Sequence, residues 1–175
     1  VMDEYFAEDF AEARIKFLGA ATDADVRLWQ YNHPATGPNG EALGTDIVWL
    51  GPKDARNIVV VGSATHGIEG FCGSGCQTGF LTENWKSRLQ AGSALVLVHA
   101  NNPYGFAHQR RVNEDNIDLN RNFIDFDAET PDSPGYADLH SALVPEAWDG
   151  PSRIAADAAI EAYKAREGLP AFQQV

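Results

Sequence analysis

Cysteine, basic residues and long apolar runs are what this chain has least of. Its 175 residues include only Cys72 and Cys76, which excludes a disulfide framework of the kind that staples small secreted domains. Lys and Arg total 13 against 25 Asp and Glu, a formal net charge of -12. That balance repels phosphate backbones and anionic headgroups, so nucleic acid and membrane surfaces are excluded as partners. No apolar run approaches the length of a membrane span. The opening "VMDEYFAEDFAEARIKF" has neither the basic start nor the continuous apolar core of a signal peptide, so the expected location is cytoplasmic. What is present is enough apolar material for a core, 44% of residues, and a length that suits one domain over residues 1–175.

The apolar pattern predicts alternating elements. Phe6, Phe10, Ala13 and Phe17 recur at three- or four-residue spacing, which predicts an amphipathic helix over 3–18 ending near Gly19. "DVRLWQYNH" (25–33) alternates Val26, Leu28 and Gln30 against Arg27, Trp29 and Tyr31, and "TDIVWLG" (45–51) is compact and β-branched. The turn-rich "PATGPNGEALG" between them makes an antiparallel pair the expectation. "NIVVVGS" (57–63) and "SALVLVHA" (93–100) are continuous apolar runs, the pattern of strands covered on both faces, and 71–90 reads as a crossover helix. Residues 101–135 are polar and carry Pro103, Gly105, Pro131, Pro134 and Gly135, so they read as a long loop, and such loops usually serve function. "PSRIAADAAIEAYKAREG" (151–168) reads as a helix with Pro near its start and Gly at its end. The class is α/β.

Where the first continuous strand ends, "THGIEGFCGSG" places His66 and Glu69 three residues apart. In open α/β sheets ligands collect beyond the carboxyl ends of parallel strands, and imidazole and carboxylate are both zinc ligands. A separation of three across one helical turn brings both to one face. The plainer alternative is a helix N-terminus where Glu69 complements the dipole and His66 is a satisfied polar residue. Cys72 and Cys76 could be soft metal ligands, but small buried residues packing a helix on the sheet explain them more cheaply. Gly73, Ser74 and Gly75 fail the G-x-S-x-G pattern because position 72 is Cys, and no G-K-[ST] follows to make a phosphate loop.

The second informative stretch is "NNPYGFAHQRRVNEDNIDLNRNF" (101–123), where Arg110, Arg111 and Arg121 fall in an otherwise acidic chain. Guanidinium groups hold carboxylates through paired hydrogen bonds, and Asn120 and Asn122 could add amide donors. The alternative pairs these arginines with Glu114, Asp115, Asp118 or Asp125 as loop bridges, and for Arg110 that alternative is favoured.

An H-x-x-E after one strand, then an arginine, then "DLNRNF" after the next resembles the zinc carboxypeptidase and aspartoacylase (succinylglutamate desuccinylase) superfamily. "HGIEGFCGSG" with "NPYGFAHQRRVNEDNIDLNRNF" is most similar to its uncharacterised bacterial metallopeptidase branch. The likeness is strong over 58–126 and loose on the flanks. It implies one Zn2+ held by His66 and Glu69, a substrate carboxylate received by Asn120 and Arg121, and a scissile carbonyl polarised by Arg111. It also implies a zinc-carboxypeptidase-like three-layer α/β/α sandwich around a mixed, partly parallel sheet, incomplete in this chain. The implied activity is hydrolysis of an amide bond next to a free carboxylate, in a small peptide or an N-acyl amino acid. Carboxypeptidase and N-acyl-amino-acid deacylase share these parts. The alternative from another class is a non-catalytic carboxylate-binding relative.

The sequence departs from the superfamily where a third zinc ligand, a histidine, and a general-base glutamate should come from later strands. Neither has a counterpart. His140 sits among Tyr136, Leu139 and Leu143 in a helical pattern and reads as structural. His99, at the end of the second parallel strand, is the other candidate for a ligand or a partner of one. His33 and His108 have no supporting context, and Glu114 is expected beside the arginines. The expectation is the N-terminal part of a catalytic domain, inactive on its own.

Overall fold

The computed structural model describes residues 2–83, 85–129 and 133–175. They group into two compact units, Val1–Phe123 and Ile124–Val175.

The first unit begins with a 3₁₀ turn, Met2–Tyr5, and helix α1, Phe10–Asp23. The Asp9 side chain accepts a hydrogen bond from the Glu12 N–H, a cap that fixes the helix start later than the apolar periodicity alone suggests. Gly19 lies inside α1 rather than after it. It faces solvent, where the weak helix propensity of glycine is tolerated. Phe10, Ala13, Phe17 and Ala21 form the buried stripe.

Strands β1 (Arg27–Thr36) and β2 (Ala42–Leu50) pair antiparallel as expected, with Leu28 opposite Val48 and Gln30 opposite Asp46. Strands β3 (Asn57–Gly62) and β4 (Ser93–His99) pair parallel, joined by helix α2 (Gly70–Thr82) and a 3₁₀ turn at Trp85–Ser87. Strand β2 pairs antiparallel with β4, so the four strands form one mixed sheet in the order β1-β2-β4-β3. Phe17 of α1 and Leu81 of α2 meet Val48, Leu50 and Leu97 of the sheet in one buried cluster. Each fully buried apolar side chain contributes about 1.5–3 kcal/mol, so this cluster holds both helices on the same sheet face.

Strand β3 departs from its apolar sequence. It was expected to be covered on both faces, yet it is an edge strand, and Ile58, Val59, Val60 and Val61 are 51%, 57%, 65% and 41% exposed. A continuous apolar run states what a strand can bury, and among the described residues β3 pairs with β4 alone.

The stretch 101–123 is a loop broken by the short helix α3, Pro103–Ala107, and a 3₁₀ turn at Leu119–Arg121. Pro131, counted in the predicted loop, lies outside the described residues.

The second unit packs α4 (Pro134–Leu143), α5 (Pro151–Glu167) and α6 (Leu169–Phe172) around Leu139, Ala142, Ala156 and Tyr163. Gly168 ends α5 at φ +86°, a conformation that favours glycine. His140 lies within α4 and bonds the Tyr136 hydroxyl at 3.0 Å, the structural role expected. Among the described residues no helix is long and apolar enough to cross a membrane.

Candidate functional site

The exits of the two parallel strands are stitched together. The Ser63 N–H donates to Val98 O at 3.0 Å, the Asn101 N–H to Ser63 O at 2.9 Å, and the Asn102 N–H to Ala64 O at 3.0 Å. Ala64 (φ +53°) and Ala100 (φ +61°) both adopt the left-handed conformation as the chain leaves the sheet. For a residue with a Cβ this costs about 1–2 kcal/mol, strain that collects at sites where the surroundings over-determine the backbone.

Helix α2 is locked over these exits by two buried polar contacts. Gln77 accepts from the Ser63 hydroxyl at 3.0 Å and donates to Val61 O and Val98 O at 3.0 and 3.2 Å. Ser74 shares a 2.9 Å hydrogen bond with His99 Nε2. Sliding or rotating α2 would leave these buried groups unsatisfied, so the helix start is fixed, and with it Glu69.

The turn before α2 is clamped from the other side. The Gly67 N–H donates to Arg110 O at 2.9 Å, and a Cβ at Gly67 would stand 1.8 Å from Gly105 O. Only glycine fits that approach of two backbones.

This turn sets His66 between two carboxylates. Nδ1 lies 3.2 Å from both oxygens of Glu69, and Nε2 lies 3.0 Å from Asp118 Oδ1. His66 is nearly buried, with 9% of its side chain exposed, whereas Glu69 is 66% exposed. Glu69 stands at the N-cap of α2, where its charge complements the helix dipole as the plainer alternative has it, and its carboxylate makes no cap hydrogen bond.

Asp118, one of the loop carboxylates considered above as an arginine partner, bridges Arg111 as that alternative has it, and its bond to His66 makes it the hub of the site. It takes His66 Nε2, Arg111 Nε at 2.8 Å and the Asn120 N–H at 3.0 Å, while its backbone carbonyl accepts from Asn122 Nδ2 at 2.9 Å. Burial works against ionisation of its carboxyl, but the hydrogen bonds from His66, Arg111 and Asn120 together outweigh it and hold the pKa below the ordinary value. Its place as the first letter of "DLNRNF" suggests an arginine partner and nothing of the contact with His66.

This carboxylate assigns the ring's tautomer. An ionised Asp118 accepts, so Nε2 carries the proton and a neutral ring turns its Nδ1 lone pair toward Glu69. Two electron-pair donors 3.2 Å apart are held together only by a proton or a cation between them. Adjacent ligands of tetrahedral zinc, with bonds of about 2.0–2.1 Å, stand roughly 3.4 Å apart. A shared proton accounts for the 3.2 Å separation and so does a shared ion, so His66 and Glu69 also fit as two ligands of zinc. Among the described residues no group of three or more His, Cys, Asp or Glu could hold a metal.

His99 is no third ligand. It is fully buried, stacked on Phe17 at 4.5 Å between ring centroids, and its Nε2 is committed to Ser74. Its Nδ1 has no hydrogen-bond partner and lies 4.0 Å from Asp46, which Arg14 grips at 2.7 and 3.0 Å. Burial pushes its pKa down to about 4, with Asp46 opposing and Arg14 assisting, so it is a neutral core histidine at physiological pH.

The arginines divide their roles. Arg110 donates to Asn116 at 3.1 Å and lies over the Tyr104 ring, rather than bridging the expected carboxylates. Arg111 uses Nε on Asp118 and keeps half its side chain in solvent. Arg121 and Asn120 are exposed, and among the described residues the Arg121 side chain has no ion pair or hydrogen bond. Asn122 is spent on the turn, not free as an amide donor. Glu114 pairs with His33 at 3.1 Å instead of an arginine, and His108 Nε2 meets Thr36 O at 3.1 Å. Cys72 and Cys76, expected to be buried, are both exposed: Ser74, Gln77, Thr78 and Leu81 take the core face of α2 and the cysteines fall on the other.

A family model described as "Protein of unknown function (DUF2817)" matches residues 6–175. No curated protein matches the sequence. Among solved structures, a Tannerella forsythia glutaminyl cyclase is 15% identical over 74% of this chain and 52% of that one, with a TM-score of 0.41. A Zn-dependent exopeptidase from Parabacteroides distasonis is 12% identical over 78% and 48%, with a TM-score of 0.38. A Porphyromonas gingivalis glutaminyl cyclase is 8% identical over 82% and 55%, with a TM-score of 0.36. The chain spans about half the length of these structures.

Proposed function

Because this chain belongs to the DUF2817 family, we propose its function from the geometry of its own residues: a zinc-dependent hydrolase site for an amide bond next to a free carboxylate. The observation that carries the proposal is His66 held by Asp118 on Nε2 while Nδ1 converges on Glu69 at 3.2 Å. Bound at His66 and Glu69, zinc would supply a Lewis acid for water activation and carbonyl polarisation. The chain's own part is orientation. Asp118 fixes the His66 ring and its proton, leaving Nδ1 as a donor. Arg111, anchored through Nε, keeps its terminal nitrogens for a developing oxyanion. Arg121, with Asn120 beside it, is the group left to receive a substrate carboxylate through paired hydrogen bonds. The proposal keeps the three-layer sandwich and the cytoplasmic setting expected from the sequence. Peptide and N-acyl amino acid substrates both satisfy it.

A second reading has one observation in its favour. With no three-ligand metal group among the described residues, the chain by itself suits carboxylate binding without turnover. Calorimetry with N-acetylalanine and its amide tests the anion pocket that both readings share. Wild type should prefer the acid, and Arg121→Ala should lose about 1.5–3 kcal/mol of that preference, the range for hydrogen bonds to charged groups. Equal binding of acid and amide by wild type would overturn the pocket.

A further inference from the structure

Cys72 and Cys76 stand outside the site described above. The sole ground for discounting them as soft-metal ligands was burial, and both are exposed. Four residues apart on α2, they share one helical face, where Cβ atoms stand about 5–6 Å apart. Their direction is set by packing, because Ser74, Gln77, Thr78 and Leu81 bind the opposite face into the core. Partial burial raises the Cys76 pKa, and the neighbouring Cys72 thiol raises it further, so the two sulfurs interact and are held as thiols until a metal displaces their protons. Cys76 also lines an apolar cleft with Val61, Phe80 and Leu97, which gives its sulfur a low-dielectric wall.

We propose that Cys72 and Cys76 form a two-thiolate site for a soft monovalent cation, Cu(I). With metal–sulfur bonds of about 2.3 Å, the zinc–thiolate length, two sulfurs on opposite sides of one ion stand roughly 4.6 Å apart. Side chains on adjacent helical turns reach that span. Among the described residues no third His, Cys, Asp or Glu completes a metal group with them. Two soft thiolates suit Cu(I), which thiolate ligands select. Binding exchanges the two thiol protons for one Cu(I), with no change of oxidation state. The acidic chain gains one further negative charge at the site.

The test is anaerobic titration of the reduced chain against the Cu(I)–bicinchoninate complex, read by loss of its colour. Wild type should withdraw one Cu(I) per chain. Cys72→Ser and Cys76→Ser should each weaken binding about a hundredfold, the loss expected when the second ligand is no longer tethered. Iodoacetamide-blocked wild type removes the thiols without a substitution and should behave alike. His66→Ala should bind Cu(I) as wild type does, which separates this site from the His66 and Glu69 pair. No transfer to wild type, or equal transfer to Cys76→Ser, overturns the proposal.

Discussion

Replacing His99 by glutamine should flatten the acid side of the protein's stability curve. In the fold the ring is fully buried, its Nδ1 has no partner, and its pKa is pushed down from 6.5 to about 4. An unfolded chain therefore takes up a proton on His99 between those values while the folded one does not. Stability from this residue is fully present above about pH 6.5 and is lost as pH falls towards 4. The gap of about two and a half pH units, at 1.36 kcal/mol each, amounts to about 3 kcal/mol. His99→Gln keeps a polar atom for Ser74 but cannot titrate. The variant should be less stable than wild type at pH 7.5, and the difference should shrink or reverse by about 3 kcal/mol at pH 4. Urea unfolding of both proteins across that range gives the difference directly, and acid effects at carboxylates common to both cancel. Parallel curves for wild type and variant between pH 6.5 and 4 would refute the buried, neutral histidine.

Asp118→Asn should reduce zinc affinity about 10–100-fold, the usual effect of removing a carboxylate that orients a ligand histidine, with little change in circular dichroism. Because the Asp118 carboxyl is held below its ordinary pKa, the stability its contacts supply is present above the usual carboxylate range and disappears as pH falls through the folded value. The acid limb of Asp118→Asn should be correspondingly shallower. Gly67→Ala should destabilise by about 1–3 kcal/mol or more in urea unfolding, since its Cβ would meet Gly105 O at 1.8 Å. A change below about 0.5 kcal/mol, the range of neutral surface substitutions, would show that the clamp yields.

Local pattern made much of the sheet legible. Alternation in 25–33 and the β-branched run at 45–51 located β1 and β2, and two apolar runs flanking a helical stretch located β3 and β4. Hydrophobicity could not report coverage, because the exposure of Val59 and Val60 depends on which strand lies beyond β3. The same limit misplaced Cys72 and Cys76: the faces of α2 were decided by Gln77 and Ser74 reaching buried partners on β3, β4 and Ser63. The contact of Asp118 with His66 was hidden for a different reason. Its partner His66 is 52 residues away, and tertiary bonds such as Gly67 N–H to Arg110 O and Asn102 N–H to Ala64 O bring the two segments together. Asn122 looked free for the reverse reason, since its bond to Asp118 O exists only once the 3₁₀ turn forms.

The central claim is that His66 Nδ1 and Glu69 converge on one metal ion while Nε2 stays with Asp118. Long-range 1H–15N correlation spectra of the histidine rings, taken on iodoacetamide-blocked protein with and without Zn2+, test it most directly. Zinc should shift the His66 Nδ1 resonance towards that of a ligated nitrogen and leave Nε2 protonated, and the change should vanish in Glu69→Gln. An unperturbed His66 ring at saturating zinc, or ligation through Nε2, would contradict the account.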